Sequence, residues 1–223
     1  KIPRLNSVIY KQSEKEIYEM IDFCADLGIK EYALNIYMPL GNDLKSNHDF
    51  NYYKELDYKV QEYISKKKYD DLHVIHFDAH ADLRDDYLGA KLSHATVLHR
   101  VWNIVGDNKI YQFGIRSGER AEFAWGKEHV QTRRFDFVGL EDVVEKLKGK
   151  PVYFTVDLDV LDAAVFPGTG TPEAGGVSFD ELRRAMNLVA NKCDVVGCDM
   201  VELSPPYDQS GISTATALKL LRE

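Results

Sequence analysis

Two apolar runs of this chain each end in a short segment of acidic and imidazole side chains. The runs are His73–Phe77 and Val152–Val156, and the residues that follow them are Asp78, His80, Asp82, Asp157 and Asp159. Runs so rich in β-branched and aromatic residues are typical of the buried strands of a parallel sheet. Open α/β folds place their sites beyond the carboxyl ends of such strands. We therefore expect both segments to face one crevice.

These side chains form a pattern that favours metal binding. Side chains two positions apart share a face of an extended segment, so the members of each segment can converge. A single Asp-x-Asp after a strand is usually a turn or a helix cap. Two such segments bring four carboxylates together, which repel one another unless a cation holds them. Oxygen and imidazole ligands suit Mn²⁺ or Mg²⁺, and we expect two ions. His76 is instead expected to be a hydrogen-bonded core histidine.

Three ordered motifs resemble those of a known family. They are Asp78–Asp82 (DAHAD), Asp157–Asp162 (DLDVLD) and Val201–Pro205 (VELSP). Together they resemble the ureohydrolases, the arginase and agmatinase family of dimanganese hydrolases, and the resemblance extends from about Leu72 to Arg222. It implies an arginase-like fold of three αβα layers around a mainly parallel sheet. It also implies an enzyme that hydrolyses a guanidino compound.

The resemblance implies a metal-binding role for five residues. Asp78 and Asp157 would bridge two Mn²⁺ ions. His80 and Asp159 would complete one ion, and Asp82 would bind the other. Two metals about 3.5–4 Å apart can share one water and lower its pKa from about 15.7 toward neutrality. Such a centre suits a guanidinium carbon, which is a poor electrophile because resonance spreads its charge over three nitrogens.

Two further residues receive catalytic roles from the resemblance. Glu202 would pair with the substrate guanidinium, because a planar fork facing a carboxylate gives bidentate orientation. His94 would assist proton transfer from a mobile loop, since a group that titrates near neutrality can protonate the leaving amine. The alternative for His94 is an exposed loop histidine without a catalytic role.

The substrate is suggested by two differences from arginases. Arginases carry an asparagine that helps to hold the substrate α-carboxylate at the position occupied here by Arg84. The segment Phe166–Glu173 also looks like that of agmatinases. We therefore expect agmatine, cleaved to urea and putrescine in polyamine biosynthesis, while guanidinobutyrate and related compounds stay open.

Composition limits the partners of the chain. The 223 residues are 44% hydrophobic and carry a formal net charge of −8, which argues against a nucleic-acid partner. No apolar stretch reaches membrane-spanning length. Cys24, Cys193 and Cys198 are expected to be reduced core thiols of a cytoplasmic protein. The family resemblance implies a homo-oligomer, either a trimer or a hexamer.

Alternating strand and helix patterns predict one α/β domain over residues 1–223. Within it, 71–223 is the ureohydrolase-like catalytic region and 1–70 is an atypical segment. The expected strands are Glu31–Tyr37, Ile110–Ile115 and Val195–Leu203, in addition to the two runs above; the expected helices are Glu14–Leu27, Tyr52–Ser65, Glu119–Glu128, Leu140–Leu147, Phe179–Val189 and Ile212–Leu221. Ser178 and Glu181 form a capping box at the start of one helix.

The first 70 residues depart from the family pattern. Ureohydrolases carry a Gly-Gly-acid-His motif there, whose histidine is the sixth ligand, on the ion bound by Asp82. That motif is absent, and His48 is expected to be a loop residue. Three explanations for this departure stay open. The segment has diverged, the chain is recombined near Lys66–Lys68, or some family segments are absent from it. One ion would then keep more water and bind more weakly. A catalytically silent metal-binding protein and an unrelated metal-dependent hydrolase remain as alternatives.

Overall fold

The structure, a computed structural model, describes residues 4–9, 14–26, 31–36, 59 and 71–223. The chain divides into two compact units, residues 1–70 and 71–223. The division falls at the boundary expected between the atypical segment and the catalytic region. That the two together form one domain stays a prediction.

The described part of the first unit contains two strands and one helix. They are β1 (Arg4–Ile9), α1 (Glu14–Asp26) and β2 (Glu31–Ile36). The strands pair in parallel, with Arg4 opposite Glu31. Helix α1 and strand β2 confirm the sequence prediction, whereas β1 was not predicted. The expected helix Tyr52–Ser65 and His48 lie outside the described residues, apart from Lys59, which is helical.

The second unit alternates strands with helices. Its elements are β3 (His73–Phe77), α2 (Val97–Val105), β4 (Ile110–Ile115), α3 (Arg120–His129), β5 (Gln131–Arg134), α4 (Leu140–Lys146), β6 (Pro151–Asp157), α5 (Phe179–Lys192), β7 (Asp194–Val201) and α6 (Ile212–Arg222). Short 3₁₀ turns lie between these elements, at His94–Thr96, Leu158–Val160 and Pro205–Tyr207.

The five strands of this unit form one sheet in the order β5-β4-β3-β6-β7. Every neighbouring pair is parallel, so all five carboxyl ends lie at the same edge. Strands β3 and β4 are buried along their whole length, which explains their mostly apolar sequences. The order places β3 at the centre, between β4 and β6.

Alternate residues of the sheet face two separate hydrophobic clusters. Ile75 and Phe77 belong to a cluster built with α4, α5 and α6. Val74 and Ile110 belong to another, built with α2 and α3. Because side chains alternate across a strand, the two clusters lie on opposite faces of the sheet. The fold is therefore the expected three-layer α/β arrangement.

The predicted elements of this unit agree with the structure to within a few residues, with two omissions. Helix α2 and strand β5 were not predicted. Helix α5 begins at the expected capping box, where Ser178 Oγ accepts a hydrogen bond from the Glu181 N–H. Strand β7 ends at Val201, earlier than Leu203, because Glu202 has a left-handed backbone with φ +64°.

No helix within the described ranges is both long and apolar enough to cross a membrane.

Candidate metal centre

Parallel pairing brings the two acidic segments together at the carboxyl edge of the sheet. Phe77 of β3 lies opposite Val156 of β6, so the next residues, Asp78 and Asp157, are neighbours across the two strands. Asp157 in turn lies opposite Val201 of β7, which directly precedes Glu202. Strand register alone therefore places three of the expected site residues along one edge.

Backbone amides fix the orientation of the central carboxylates. The His80 N–H donates to Asp78 Oδ1 at 2.5 Å. The Ala79 N–H donates to Asp159 Oδ1 at 3.1 Å, which ties the two segments directly to each other. The Asp159 N–H donates to Asp157 Oδ1 at 2.9 Å. Because these donors belong to the backbone, the carboxylates are held in place before any ligand binds.

The imidazole of His80 lies between the two segments. Its Nδ1 atom is 3.4 Å from Asp78 Oδ1 and 3.0 Å from Asp159 Oδ2. Its Nε2 atom is 3.8 Å from the carboxylate of Glu173. The Asp159 Oδ2 atom is buried and, despite this short distance, has no hydrogen bond of suitable geometry. A buried carboxylate oxygen without a hydrogen-bond donor suits a cation ligand, because a bound cation would satisfy it.

Asp82 reaches the same edge through a turn. It has a left-handed backbone with φ +54°, and its carbonyl oxygen accepts hydrogen bonds from the N–H groups of Leu98 and His99. These are amides of the first turn of α2, which have no partner within the helix. The start of α2 thus anchors the turn that carries Asp82.

Crowding of these acids changes their pKa values. Burial and the negative charge of Asp78 raise the pKa of Asp82 to about 9. Burial, with the charges of Asp78 and Asp159, raises the pKa of Asp157 to about 10. Burial also raises the pKa of Asp159, although the close contact with the His80 imidazole opposes the shift.

The pKa values of two other residues of this group, Asp78 and His80, shift in the direction that favours their charged forms. Burial opposes ionisation of Asp78, but the nearby imidazoles of His76 and His80, together with the hydrogen bond from the His80 N–H, lower its pKa below the ordinary value. Burial lowers the pKa of His80, but its contacts with Asp159 and Asp78 outweigh burial and raise that pKa to about 11. The site therefore carries more acid than its own cationic groups neutralise, which favours binding of a divalent cation.

Two sets of side chains lie close enough to hold an ion. One set is Asp78, His80 and Asp159, and the other is His76, Asp78 and Asp82; within each set the ligand atoms lie within 4.8 Å of one another. Asp78 belongs to both, which fits a residue between two ions. Asp157 belongs to neither set, so its expected bridging role stays a prediction. Oxygen and nitrogen donors without thiolate fit Mn²⁺ or Mg²⁺.

The two expected catalytic residues, Glu202 and His94, are both exposed and lie in different surroundings. Glu202 is exposed beside the segment Phe166–Glu173, where a Cβ built on Gly170 would lie 3.5 Å from the Glu202 Oε2 atom. His94 is exposed in a 3₁₀ turn, with its ring 5.3 Å from that of Tyr87. Across residues 71–223, no hydrogen bond or ion pair joins His94 to the carboxylates. Its proton-transfer role stays a prediction.

Arg116, which was not among the expected site residues, joins the loops around the site. It follows β4, and its guanidinium donates to the carbonyl oxygens of six residues. These are Gly114, Asp159, Val160, Leu161, Glu173 and Ala174. Its position at the carboxyl end of a buried strand was the available signal. The long-range carbonyl partners could not be identified from the sequence.

Arg84 is held by two acidic residues: Glu122, which lies in α3, and Glu119, which directly precedes α3. Its Nε atom donates to Glu122 at 3.3 Å, and its Nη2 atom lies 3.1 Å from Glu119. Glu122 is buried and also accepts the N–H groups of Leu83 and Glu119. The Arg84 guanidinium additionally lies 4.9 Å above the Tyr87 ring. Its charge is thus already paired within the protein.

Comparison with known proteins agrees with this architecture. The model of the arginase family matches residues 58–223, beginning earlier than the resemblance seen in the motifs. That match covers about three quarters of the chain. The chain belongs to the arginase family.

Particular relatives are also similar over most of the chain. An agmatinase of Bacillus anthracis is 48% identical over 160 residues, which is 70% of this chain and 55% of the relative. A guanidinobutyrase of Pseudomonas aeruginosa is 37% identical over 172 residues, covering 71% and 53%. A Clostridium difficile crystal structure, described as that of a protein proposed to be an agmatinase, has a TM-score of 0.71 and 42% identity, covering 95% and 72%. The chain thus spans about half the length of the curated relatives it matches.

Proposed function

We propose that this protein is a binuclear-metal ureohydrolase that releases urea from a guanidino compound, with agmatine as the first candidate. The observation that carries the proposal is the shared carboxylate of Asp78, which belongs to two adjacent sets of candidate ligands. Family membership and the agmatinase relatives support the same reaction.

The metal centre would supply the nucleophile. When bound there, two divalent cations would lower the pKa of a water molecule from about 15.7 toward about 7, which provides hydroxide near neutral pH. Asp78, Asp82, Asp157, Asp159 and His80 would hold the ions. Backbone hydrogen bonds keep the carboxylates of Asp78, Asp157 and Asp159 in place, so little ordering of these three side chains accompanies binding.

Glu202 would orient the substrate. A carboxylate accepts two parallel N–H donors from a guanidinium, which fixes the plane of the group and the position of its carbon. Glu202 follows the β7 residue that lies opposite Asp157, so it stands at the same sheet edge as the acids. His94 would assist transfer of a proton to the departing amine, in the role that the family resemblance implies.

Agmatine fits better than a substrate that carries a carboxylate. At the position where arginases hold the α-carboxylate, this chain has Arg84, whose guanidinium already faces Glu119 and Glu122. A paired cation offers little attraction to a further anion. The agmatinase relative supports this choice, whereas the guanidinobutyrase relative makes guanidinobutyrate the next compound to test.

Manganese, a homo-oligomer and a cytoplasmic location complete the proposal. The donor set supports Mn²⁺, with Mg²⁺ as the alternative. Trimeric or hexameric assembly rests on the family resemblance alone. A cytoplasmic location agrees with the free thiols of Cys193 and Cys198, although Cys198 is exposed and does not lie in the core as expected.

Urea release from agmatine tests the proposal. The purified full chain, loaded with Mn²⁺, should produce urea and putrescine in equal amounts, and EDTA should abolish the reaction. Asp78→Asn and Asp159→Asn should reduce it to background, because each removes a carboxylate that faces a candidate ion. Asp180→Asn, which changes an exposed carboxylate on α5, is the matched control and should retain activity.

Two measurements separate this proposal from its alternatives. Metal analysis should find two Mn per chain, whereas the catalytically silent alternative predicts one or none. Guanidinobutyrate should be cleaved more slowly than agmatine. Urea formation from neither compound, with both ions bound, would contradict the proposed activity.

A further inference from the structure

His76 is a buried histidine of β3 that contacts Asp78, one of the carboxylates of the candidate metal centre. It lies on β3, two residues before Asp78, so both side chains point to the same face of the strand. Its side chain is almost fully buried, and its Nε2 atom lies 2.9 Å from Asp78 Oδ2. Its position would also suit a metal ligand, since its ligand atom and those of Asp78 and Asp82 lie within 4.8 Å of one another. The direction of its hydrogen bonds distinguishes these two roles.

The orientation of Gln112 determines which ring nitrogen of His76 carries the proton. The buried Gln112 amide nitrogen lies 2.7 Å from the carbonyl oxygen of Ala81 and 3.2 Å from His76 Nδ1. A carbonyl oxygen can only accept, so the NH₂ group of Gln112 must face it. The opposite end of the amide, Oε1, accepts from the Thr132 hydroxyl at 2.9 Å. Reversing the amide would place two oxygens 2.7 Å apart.

This orientation makes His76 a donor. The second N–H of the Gln112 amide points at Nδ1 of His76, so Nδ1 must accept and the ring proton resides on Nε2. A protonated Nε2 donates to Asp78 Oδ2 and has no lone pair for a cation. We propose that His76, held by Gln112, is a positioning residue that orients Asp78 as a bridge between two ions and does not itself bind metal.

The hydrogen bonds of Asp78 agree with a bridging carboxylate. Its Oδ2 atom accepts from His76, and its Oδ1 atom accepts from the His80 N–H. An ionised carboxylate has about four lone-pair positions, two on each oxygen. One hydrogen bond on each oxygen leaves one position on each for a cation. This inference rests on the proposed function, because it assigns His76 a part in building that metal centre.

Metal titration of full-chain variants tests the role. Removal of an outer hydrogen-bond partner of a metal ligand typically weakens affinity about 10–100-fold. His76→Leu should therefore bind two Mn²⁺ ions per chain with Kd values raised about 10–100-fold, measured by the EPR signal of free Mn²⁺. His76→Gln restores an amide donor near the Nε2 position and should recover most of that loss. Gln112→Leu should fall between wild type and His76→Leu.

His73→Leu is the matched control. His73 is a buried histidine at the other end of the same strand, so its replacement reports the general effect of losing a buried imidazole. It should leave Mn²⁺ affinity within about threefold of wild type, well below the loss expected at position 76. Equal losses in His73→Leu and His76→Leu would overturn the positioning role. Loss of one ion from both His76 variants would overturn it also, because His76 would then be a ligand.

A measurement on the wild-type chain does not depend on any variant folding. Long-range ¹H–¹⁵N correlation spectra distinguish the two imidazole tautomers, and His76 is assigned by the signal missing from His76→Gln or, if that variant does not fold, by selective labelling. We expect a protonated Nε2 and an accepting Nδ1. A protonated Nδ1 would overturn the inference. Failure of wild type to bind Mn²⁺ would overturn the proposed function as well, whereas unchanged affinity in His76→Leu overturns this inference alone.

Discussion

At the scale of single residues, the site depends on side chains that bind backbone more than on side chains that bind each other. Arg116 shows this most clearly, since its planar guanidinium reaches carbonyl oxygens in three separate segments, at 114, 159–161 and 173–174. Burial lowers its pKa, while the nearby charges of Asp159 and Glu173 oppose that shift. Lysine could not make these contacts, because an ammonium lacks the fixed fork of donors.

Replacement of Arg116 should therefore destabilise the second unit. We expect Arg116→Lys to lower the free energy of unfolding by about 2–4 kcal/mol, because several buried carbonyl groups lose a charged donor. Urea denaturation followed by tryptophan fluorescence measures the change. Arg133→Lys is the control: Arg133 pairs with Asp136 at the surface, and its replacement should cost no more than about 0.5 kcal/mol. Equal effects of the two substitutions would show that the carbonyl contacts contribute little.

At the scale of elements, sequence pattern predicted what depends on local chemistry. The mostly apolar runs of β3 and β4 and the capping box of α5 specify these elements without information from distant residues. Strand β5 was missed because Gln131–Arg134 is a mostly exposed strand of polar residues with no apolar pattern. Helix α2 was missed because its first amides are satisfied by the distant carbonyl of Asp82, with no side-chain cap.

The same distinction applies to the site. Its carboxylates could be predicted because they directly follow apolar strands, and the structure gathers them at one edge. The contacts of Gln112, Arg116 and Glu122 join residues that lie far apart in sequence, so no local pattern announces them. The exposed position of His94 agrees with the loop expected for it, whereas the exposed position of Glu202 could not be predicted from its motif.

At the opposite edge of the sheet, one acid joins the starts of three strands. Asp71 precedes β3 and lies 3.2 Å from Lys109, which precedes β4, and 3.1 Å from Lys150, which precedes β6. Hydrogen bonds from Lys150 and Lys109 lower the pKa of Asp71 to about 2. The group thus connects the amino ends of the three central strands.

Asp71 should contribute to stability in a defined pH range. A carboxyl whose pKa is lowered by folding stabilises the protein above its ordinary value of 3.8 and loses that contribution as the pH falls toward about 2. Because the side chain is 46% exposed, we expect less than about 1 kcal/mol. Asp71→Asn should reduce the slope of unfolding free energy against pH between those values. Identical slopes in the variant and in wild type would contradict the assignment.

At the scale of the whole molecule, the second unit concentrates unneutralised acid at one edge of its sheet. The pKa values of Asp82 and Asp157 are raised to about 9 and about 10. Ionisation of these two groups without a bound cation therefore destabilises the folded chain. A divalent cation that binds only the folded chain should relieve this repulsion. Metal binding and stability of this unit should therefore be linked.

Addition of Mn²⁺ should raise the melting temperature of the second unit in proportion to the logarithm of its concentration. At 100 times the Kd, each bound ion stabilises the fold by about 2.7 kcal/mol. Both tryptophans of the chain, Trp102 and Trp125, lie in residues 71–223, so their fluorescence reports the melting of this unit. EDTA should reverse the shift, Asp78→Asn should remove most of it, and Asp180→Asn should retain it, because Asp180 is exposed on α5. The same shift in Asp78→Asn as in wild type would mean that manganese stabilises the fold from somewhere other than this sheet edge.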